Sequence, residues 1–439
     1  MVVSGLLISI VLIIVGTSLW RIHPFLVLLA VTLFYGLWVR IPMTKLVDLM
    51  QQGFGNTLGK IGLLILMGVL IGQFLEKSGG AVQLAQSLLR ITGLKHLPWA
   101  LSTLGFIISI PVFVDAGFVL LQGLTKVLSK KAGVSILTTT TALAMGLMTS
   151  HCLIPPTPGP LAATGILQAD MGLVLVYGIC IGLLAQIPTV FYSQWIGRKI
   201  QIEHEELTTE TIVTTPQIPS LSLSILPIAV PLLCIMAKSF WPSEGEPNLI
   251  TSVIGFVGTP FIALGMGFLL SLSLPKKLEK TMFGGQGWVG DAFRESGDIL
   301  LVTGAGGMFG FVLQASDLSQ HLLEPTLMKG MGLWIPFAVA FLLKTIQGSS
   351  TVALLTTASL VAPLLPSLGI ITPEATALTV IAMGAGAVGV SHVNDSYFWV
   401  VTKLSGLNVS TGLRSHSAAS FVTGLTAMIL CWLANTLLG

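Results

Sequence analysis

Five ionisable side chains stand almost alone inside the apolar stretches of this sequence: Asp115, His151, Lys344, His392 and Asp395. Holding such a group at membrane depth costs roughly 3 kcal/mol or more, so those that persist mark a pathway or relay, or pin the backbone by pairing with one another. They fall in four short interruptions: Pro111 to Gly117, Ser150 to Pro160, Lys344 to Thr351, and Ser391 to Ser396. Pro155, Pro156, Pro158 and Pro160 cannot continue a helix, because each lacks an N–H and clashes with the preceding turn. Irregular backbone at that depth survives only where protein or water satisfies its freed groups. Free helix N-termini carry unpaired N–H donors and partial positive charge, which suits an anion. Hydroxyls and amides beside them suit a polyhydroxylated solute.

On these grounds the residues expected to bind a small anionic solute are Ser150, His151, Thr157, Lys344, Gln347, Gly348, Ser349, Ser350, Asn394 and Ser396. Those expected to carry protons are Asp115, Asp395 and His392. Each histidine would equally serve as a hydrogen-bonding brace of a helix break, and Lys344 as the partner of an aspartate.

The elements that position these residues follow from composition. Of 439 residues 53% are hydrophobic and only 9% charged, against about 25% charged in a soluble domain. Lipid must therefore be the solvent. The net charge of +3 gives no footing for nucleic acid. Cys152, Cys180, Cys234 and Cys431 sit in or beside apolar runs without metal-ligand spacing and read as small hydrophobes. No cofactor or metal is expected. Apolar runs long enough to span occupy 2–20, 23–39, 58–76, 170–196, 221–238, 249–272, 296–314 and 415–438. The regions 98–166 and 332–404 are longer and broken, each read as one re-entrant hairpin plus one broken span. The hydrophilic stretch 198–220 reads as a linker between an N-terminal half, 1–197, and a C-terminal half, 221–439. Thr138 to Thr141 read as hydroxyls bonding back to their own helix.

A self-similarity at a shift of 238 residues relates the halves: Ile71-Gly72 falls on Phe309-Gly310, Pro98 on Pro336, and Ala144-Met145-Gly146 on Ala382-Met383-Gly384. After a slip of three residues, Ser150-His151 falls on Ser391-His392. Five crossings per half is an odd number, so the second half would enter the membrane from the other side. The expected fold is an all-α polytopic inverted-repeat transporter with about ten spanning helices, two of them broken, and two re-entrant hairpins. With both termini outside, fifteen of the Lys and Arg residues face the cytoplasm and five do not, as the positive-inside rule requires. The linker 198–220 is then cytoplasmic.

At the breaks the sequence resembles the gluconate permease family of proton symporters. The resemblance is carried by Gly53-Phe54-Gly55-Asn56-Thr57-Leu58-Gly59, Ser78-Gly79-Gly80-Ala81, the Asp115 hairpin, the Pro155 to Pro160 segment, Gln347-Gly348-Ser349 and His392-Val393-Asn394-Asp395-Ser396. It implies import of gluconate or a related sugar acid across the inner membrane. D-serine or glycerate is the cargo of some members. It also implies a transport domain moving against a fixed scaffold, with a homodimer as partner arrangement. Lys344 stands where the family leads one to expect Arg, and Tyr397 where a small residue is expected; either would shift the solute away from gluconate. The competing expectations are sodium in place of protons, a passive channel, or an intramembrane enzyme using His151 or His392 as base.

Overall fold

The computed structural model describes residues 2–200, 218–241, 249–316 and 332–438. Most of the 198–220 linker lies outside the described residues. Within them all regular structure is helical. The first half runs α1 (Val2–Ile14), α2 (Pro24–Trp38), α3 (Met43–Lys77), α4 (Gly80–Thr92), α5 (Leu97–Ile108), α6 (Val114–Ala132), α7 (Ile136–Leu153), α8 (Pro158–Leu167) and α9 (Met171–Lys199). The second runs α10 (Leu221–Phe240), α11 (Leu249–Val257), α12 (Pro260–Ser271), α13 (Trp288–Gln314), α14 (Trp334–Gln347), α15 (Ser350–Val361), α16 (Pro373–Val388), α17 (Ser396–Leu404) and α18 (Ala418–Leu438).

The helix starts are encoded locally. Prolines occupy the first turn of α2, α5, α8, α12 and α16, where their missing N–H costs nothing. Side chains of Ser135, Asp170, Ser349, Thr372 and Asp395 accept from the first-turn N–H groups of α7, α9, α15, α16 and α17.

Among the described residues, six helical stretches are long and apolar enough to cross a membrane, and α11 with α12 makes a seventh if the pair, bent by 69°, is one span. Three boundaries differ from the sequence expectation, one being the span expected at 296–314, which begins at Trp288. The span expected at 58–76 extends back to Met43, because its polar first half lies along α13: a Cβ on Gly53 would stand 2.9 Å from the Gly307 carbonyl oxygen. The run 249–272 is bent at Gly258-Thr259, where α11 gives way to Pro260 at the head of α12.

The core is built on α7, all of whose residues are buried, and on α16, buried from Ala377 to Val388. Each packs against the last long helix of its half, and they pack against each other. Between helices in lipid, close backbone approach through small residues replaces the hydrophobic drive available in water. Gly146 lies against the Ser102 carbonyl, and Gly384 leaves 2.5 Å between its missing Cβ and the Cys152 carbonyl oxygen.

The turn between α5 and α6, Ser109 to Phe113, is seated on α3 by the same means, since the missing Cβ of Gly72 is the space taken by the Pro111 carbonyl. Gly72→Ala is expected to destabilise the protein by about 1–3 kcal/mol, the scale of an overpacked core. Gly55→Ala, which meets nothing within 4 Å, should leave the detergent melting temperature unchanged or slightly raised. Equal melting of the two variants would contradict the packing described.

Candidate functional site

Four helices begin at the interruptions. Asp115 lies in the first turn of α6, Thr157 precedes α8, Ser349 precedes α15, and Asp395 precedes α17. They pair crosswise: α8 packs on α15, and α6 on α17. The first contact is close, with the missing Cβ of Gly159 standing 3.6 Å from Thr351 Cα. In the second, Phe118 of α6 meets Tyr397 of α17 edge to face at 6.0 Å. Each half therefore contributes to both pairs.

At the centre is an ion pair. Lys344 Nζ is 2.5 Å from Asp395 Oδ2, with both side chains buried. The ammonium also donates to the Gly348 carbonyl at 2.5 Å. Gly348 ends α14 in the left-handed region at φ +84°, which turns that carbonyl back toward Lys344. A Cβ there would strike the Asn394 carbonyl. The Ser391 hydroxyl donates to Asp395 Oδ2 at 2.5 Å. The other oxygen, Oδ1, accepts from the Tyr397 N–H at 3.0 Å and so caps α17.

A helix end leaves carbonyls without partners, and the last turn of α14 finds them in the Ser391–Ser396 interruption. His392 Nε2 donates to the Thr345 carbonyl at 2.8 Å. Asn394 Nδ2 donates to the carbonyls of Thr345 and Ile346 at 2.7 and 3.0 Å. In this conformation both side chains act as braces.

The remaining expected residues divide by whether their polar atoms are occupied. Ser150 Oγ bonds back to the Leu147 carbonyl at 3.5 Å, and Thr157 Oγ1 to that of Ile154 at 2.5 Å. Ser350 is buried. Ser349 caps α15, and Ser396 is exposed. By contrast Asp115 Oδ1, His151 Nδ1 and both polar atoms of the Gln347 amide are buried without a partner. Unsatisfied buried polar groups are scarce in native proteins and ask for a ligand or water. Asp115 lies within electrostatic range of Asp395 and Lys344, as does His151.

Tyr397, the bulky residue at an unexpected place, donates its hydroxyl to the Ala144 carbonyl of α7 at 3.0 Å. It ties the halves together. His416, in a π-turn at Leu413–Ser417 leading into α18, was not among the expected site residues; it is fully buried and reaches Ser391 Oγ at 2.9 Å. Its only sequence signal is an ionisable residue at the head of the last apolar run.

Two cavities lie beside this network rather than in it. One, of about 750 Å³, is lined by Lys60, Thr164, Gln168, Asp170, Lys238 and Thr372 among others. The second, of about 100 Å³, shares Lys60, Gly165 and Gln168 with it. Neither cavity includes the ion pair, which is sealed in this conformation.

Removing one partner of a buried pair strands a charge, while replacing both can be nearly neutral. Lys344→Met is therefore expected to cost about 3–5 kcal/mol of stability. The double variant Lys344→Met with Asp395→Leu should recover much of the lost melting temperature but no transport. A double variant no more stable than the single one would show that the pair is not what Lys344 contributes.

The model of the GntP permease family matches residues 1–437. An uncharacterised permease of Haemophilus influenzae is 34% identical over 92% of this chain and 86% of its own. The gluconate permease of Zymomonas mobilis is 30% identical over 96% and 95%, and the D-serine transporter DsdX of Escherichia coli K12 30% identical over 97% and 96%. Among solved structures, the YdaH transporter of Alcanivorax borkumensis superposes with a TM-score of 0.62 at 16% identity, covering 90% of each chain. MtrF of Neisseria gonorrhoeae gives 0.62 at 17% identity, over 89% of this chain and 84% of that one. With an all-helical fold shared with transporters and a family match along nearly its whole length, this chain is a multi-pass membrane permease rather than an enzyme, and it belongs to the GntP family.

Proposed function

We propose that this permease imports gluconate, or a related small hydroxylated carboxylate, together with protons, by an exchange of partners at Lys344. The observation that carries the reading is the sealed Lys344–Asp395 pair with unpartnered polar atoms of Asp115, His151 and Gln347 on the neighbouring breaks. The site holds one ammonium and two carboxyl groups. While Asp395 is ionised, Lys344 is neutralised and has nothing to offer an anion. A proton on Asp395 releases the ammonium, and a solute carboxylate can then take the place of Oδ2 without changing the charge buried in the site. Substrate and proton thus require each other. The vacant amide of Gln347 and Nδ1 of His151 are available to solute hydroxyls. The names of relatives, a gluconate permease and a D-serine transporter, support a carboxylate carried on a small polar body.

Two halves of inverted orientation, ten crossings and two re-entrant hairpins account for this coupling by alternating access. The crosswise pairing of helix starts supports such a pseudo-symmetric core. In this reading both termini lie outside, the 198–220 linker is cytoplasmic, and the membrane is the bacterial inner membrane. The outer helices α10–α12 expose Leu233, Leu249, Ile250, Phe256 and Leu269 and suit the scaffold and the contact of a homodimer.

Purified protein in liposomes, given imposed proton or sodium gradients and radiolabelled gluconate, D-glycerate or D-serine, tests this directly. Uptake driven by the proton gradient is expected, and it should be abolished in both Asp115→Asn and Asp395→Asn. Accumulation driven by sodium alone, or normal proton-driven accumulation in both variants, would sink the reading.

A further inference from the structure

Hydrogen bonding fixes the state of His416. Asp395 is held as a carboxylate by Lys344, so the hydroxyl proton of Ser391 is committed to Oδ2. A hydroxyl has a single proton, so Ser391 Oγ can only accept from His416 Nε2, 2.9 Å away. The imidazole therefore carries its proton on Nε2, and Nδ1 presents a lone pair. That Nδ1 is buried without a partner. Around the ring stand Tyr397 at 5.4 Å and Phe398 at 6.0 Å, and the charged groups acting on it are Asp395 and Lys344. The Ser417 hydroxyl donates to the Ser391 carbonyl, and Ser391 N–H donates to Ser420 Oγ at 3.1 Å. Ser391 is thereby clamped to the head of α18. A π-turn inserts one extra residue and recurs at functional sites; here it carries His416.

Resting on the proton-coupled reading above, we infer that His416 and Ser391 form the relay through which a proton reaches Asp395. When a change of conformation opens this pocket to water, a hydronium ion gives a proton to Nδ1 of His416 and leaves as water. The Nε2–H bond breaks as that proton passes to Ser391 Oγ, and the Ser391 O–H proton passes to Asp395 Oδ2. The products are a neutral carboxyl at Asp395, an intact Ser391 hydroxyl and a neutral imidazole protonated on Nδ1. Charge and protons balance, and Lys344 is set free. Return to the Nε2–H tautomer resets the chain.

The test uses the full chain in liposomes with His416→Gln, whose amide keeps a donor toward Ser391 but cannot relay a proton, and Ser391→Ala. Net uptake of gluconate, D-glycerate or D-serine under a pH gradient is expected to fall about 100-fold, the scale of a lost proton-transfer group, and far more than exchange of the same solute at equal pH on both sides. Equal losses of net uptake and exchange would mean a purely structural role, and unchanged net uptake would remove His416 from the pathway; either overturns the relay while the wild type still couples to protons. A wild type with no proton-driven uptake of any of the three solutes overturns the coupled reading and the relay with it. Independently of any solute, solid-state spectra of ¹⁵N-histidine protein should show one neutral, Nε2-protonated ring that disappears in His416→Gln. A doubly protonated or Nδ1-protonated ring at that position would refute the starting state.

Discussion

An ammonium and a carboxylate cannot be withdrawn from water unless they find each other and enough hydrogen bonds to replace hydration. The buried contact between Lys344 and Asp395 imposes that demand on everything around it. Gly348 must end α14 in the left-handed region so that its carbonyl can serve the ammonium. Ser391 must face Oδ2, and the head of α18 must hold Ser391 in place. The Ser391–Ser396 interruption is irregular, yet nearly every polar group in it has an assigned partner.

Around that contact the fold supplies rigidity where the chain is regular and vacancy where it is broken. α7 and α16 are sheathed on all sides and meet their neighbours through glycine-backbone contacts, so they transmit displacement rather than absorb it. The helix starts they support are matched in pairs but not in chemistry. Asp115, His151 and Gln347 leave polar atoms open, while the Ser391–Ser396 segment is internally satisfied. The open atoms thus lie on three of the four breaks, while the buried charge is held between the two breaks of the C-terminal half, at Lys344 and Asp395.

Much of this was legible in the sequence because breaks in membrane helices are written in residue types that cannot be disguised. The prolines after Ile154, the glycine at 348 and isolated charges in apolar runs located all four interruptions. Lys344 and Asp395 were named, with their pairing among the alternatives. What escaped was pairing at a distance. His416 sits in a run whose average is apolar, and only the contact with Ser391, 25 residues earlier, gives it meaning. His392 was expected to carry a proton or to brace a helix break, and Asn394 to bind solute; which carbonyls at the end of α14 come within their reach is not recorded in the sequence. The length of α3 was missed for the same reason: its polar half is stabilised by a glycine seam with α13, a relation between segments some 250 residues apart.

Asp395 divides its two oxygens between two tasks. Oδ2 faces the lysine, and Oδ1 holds the first turn of α17. A carboxylate that takes up a proton loses part of its pull on backbone N–H groups, and the start of a helix feels that loss as a change in its own anchorage. If Asp395 takes up a proton, as the proposed coupling requires, that change would act as a mechanical signal at the foot of α17, and its neighbour Tyr397, bonded to the Ala144 carbonyl of α7, is the residue through which the other half of the molecule would sense it.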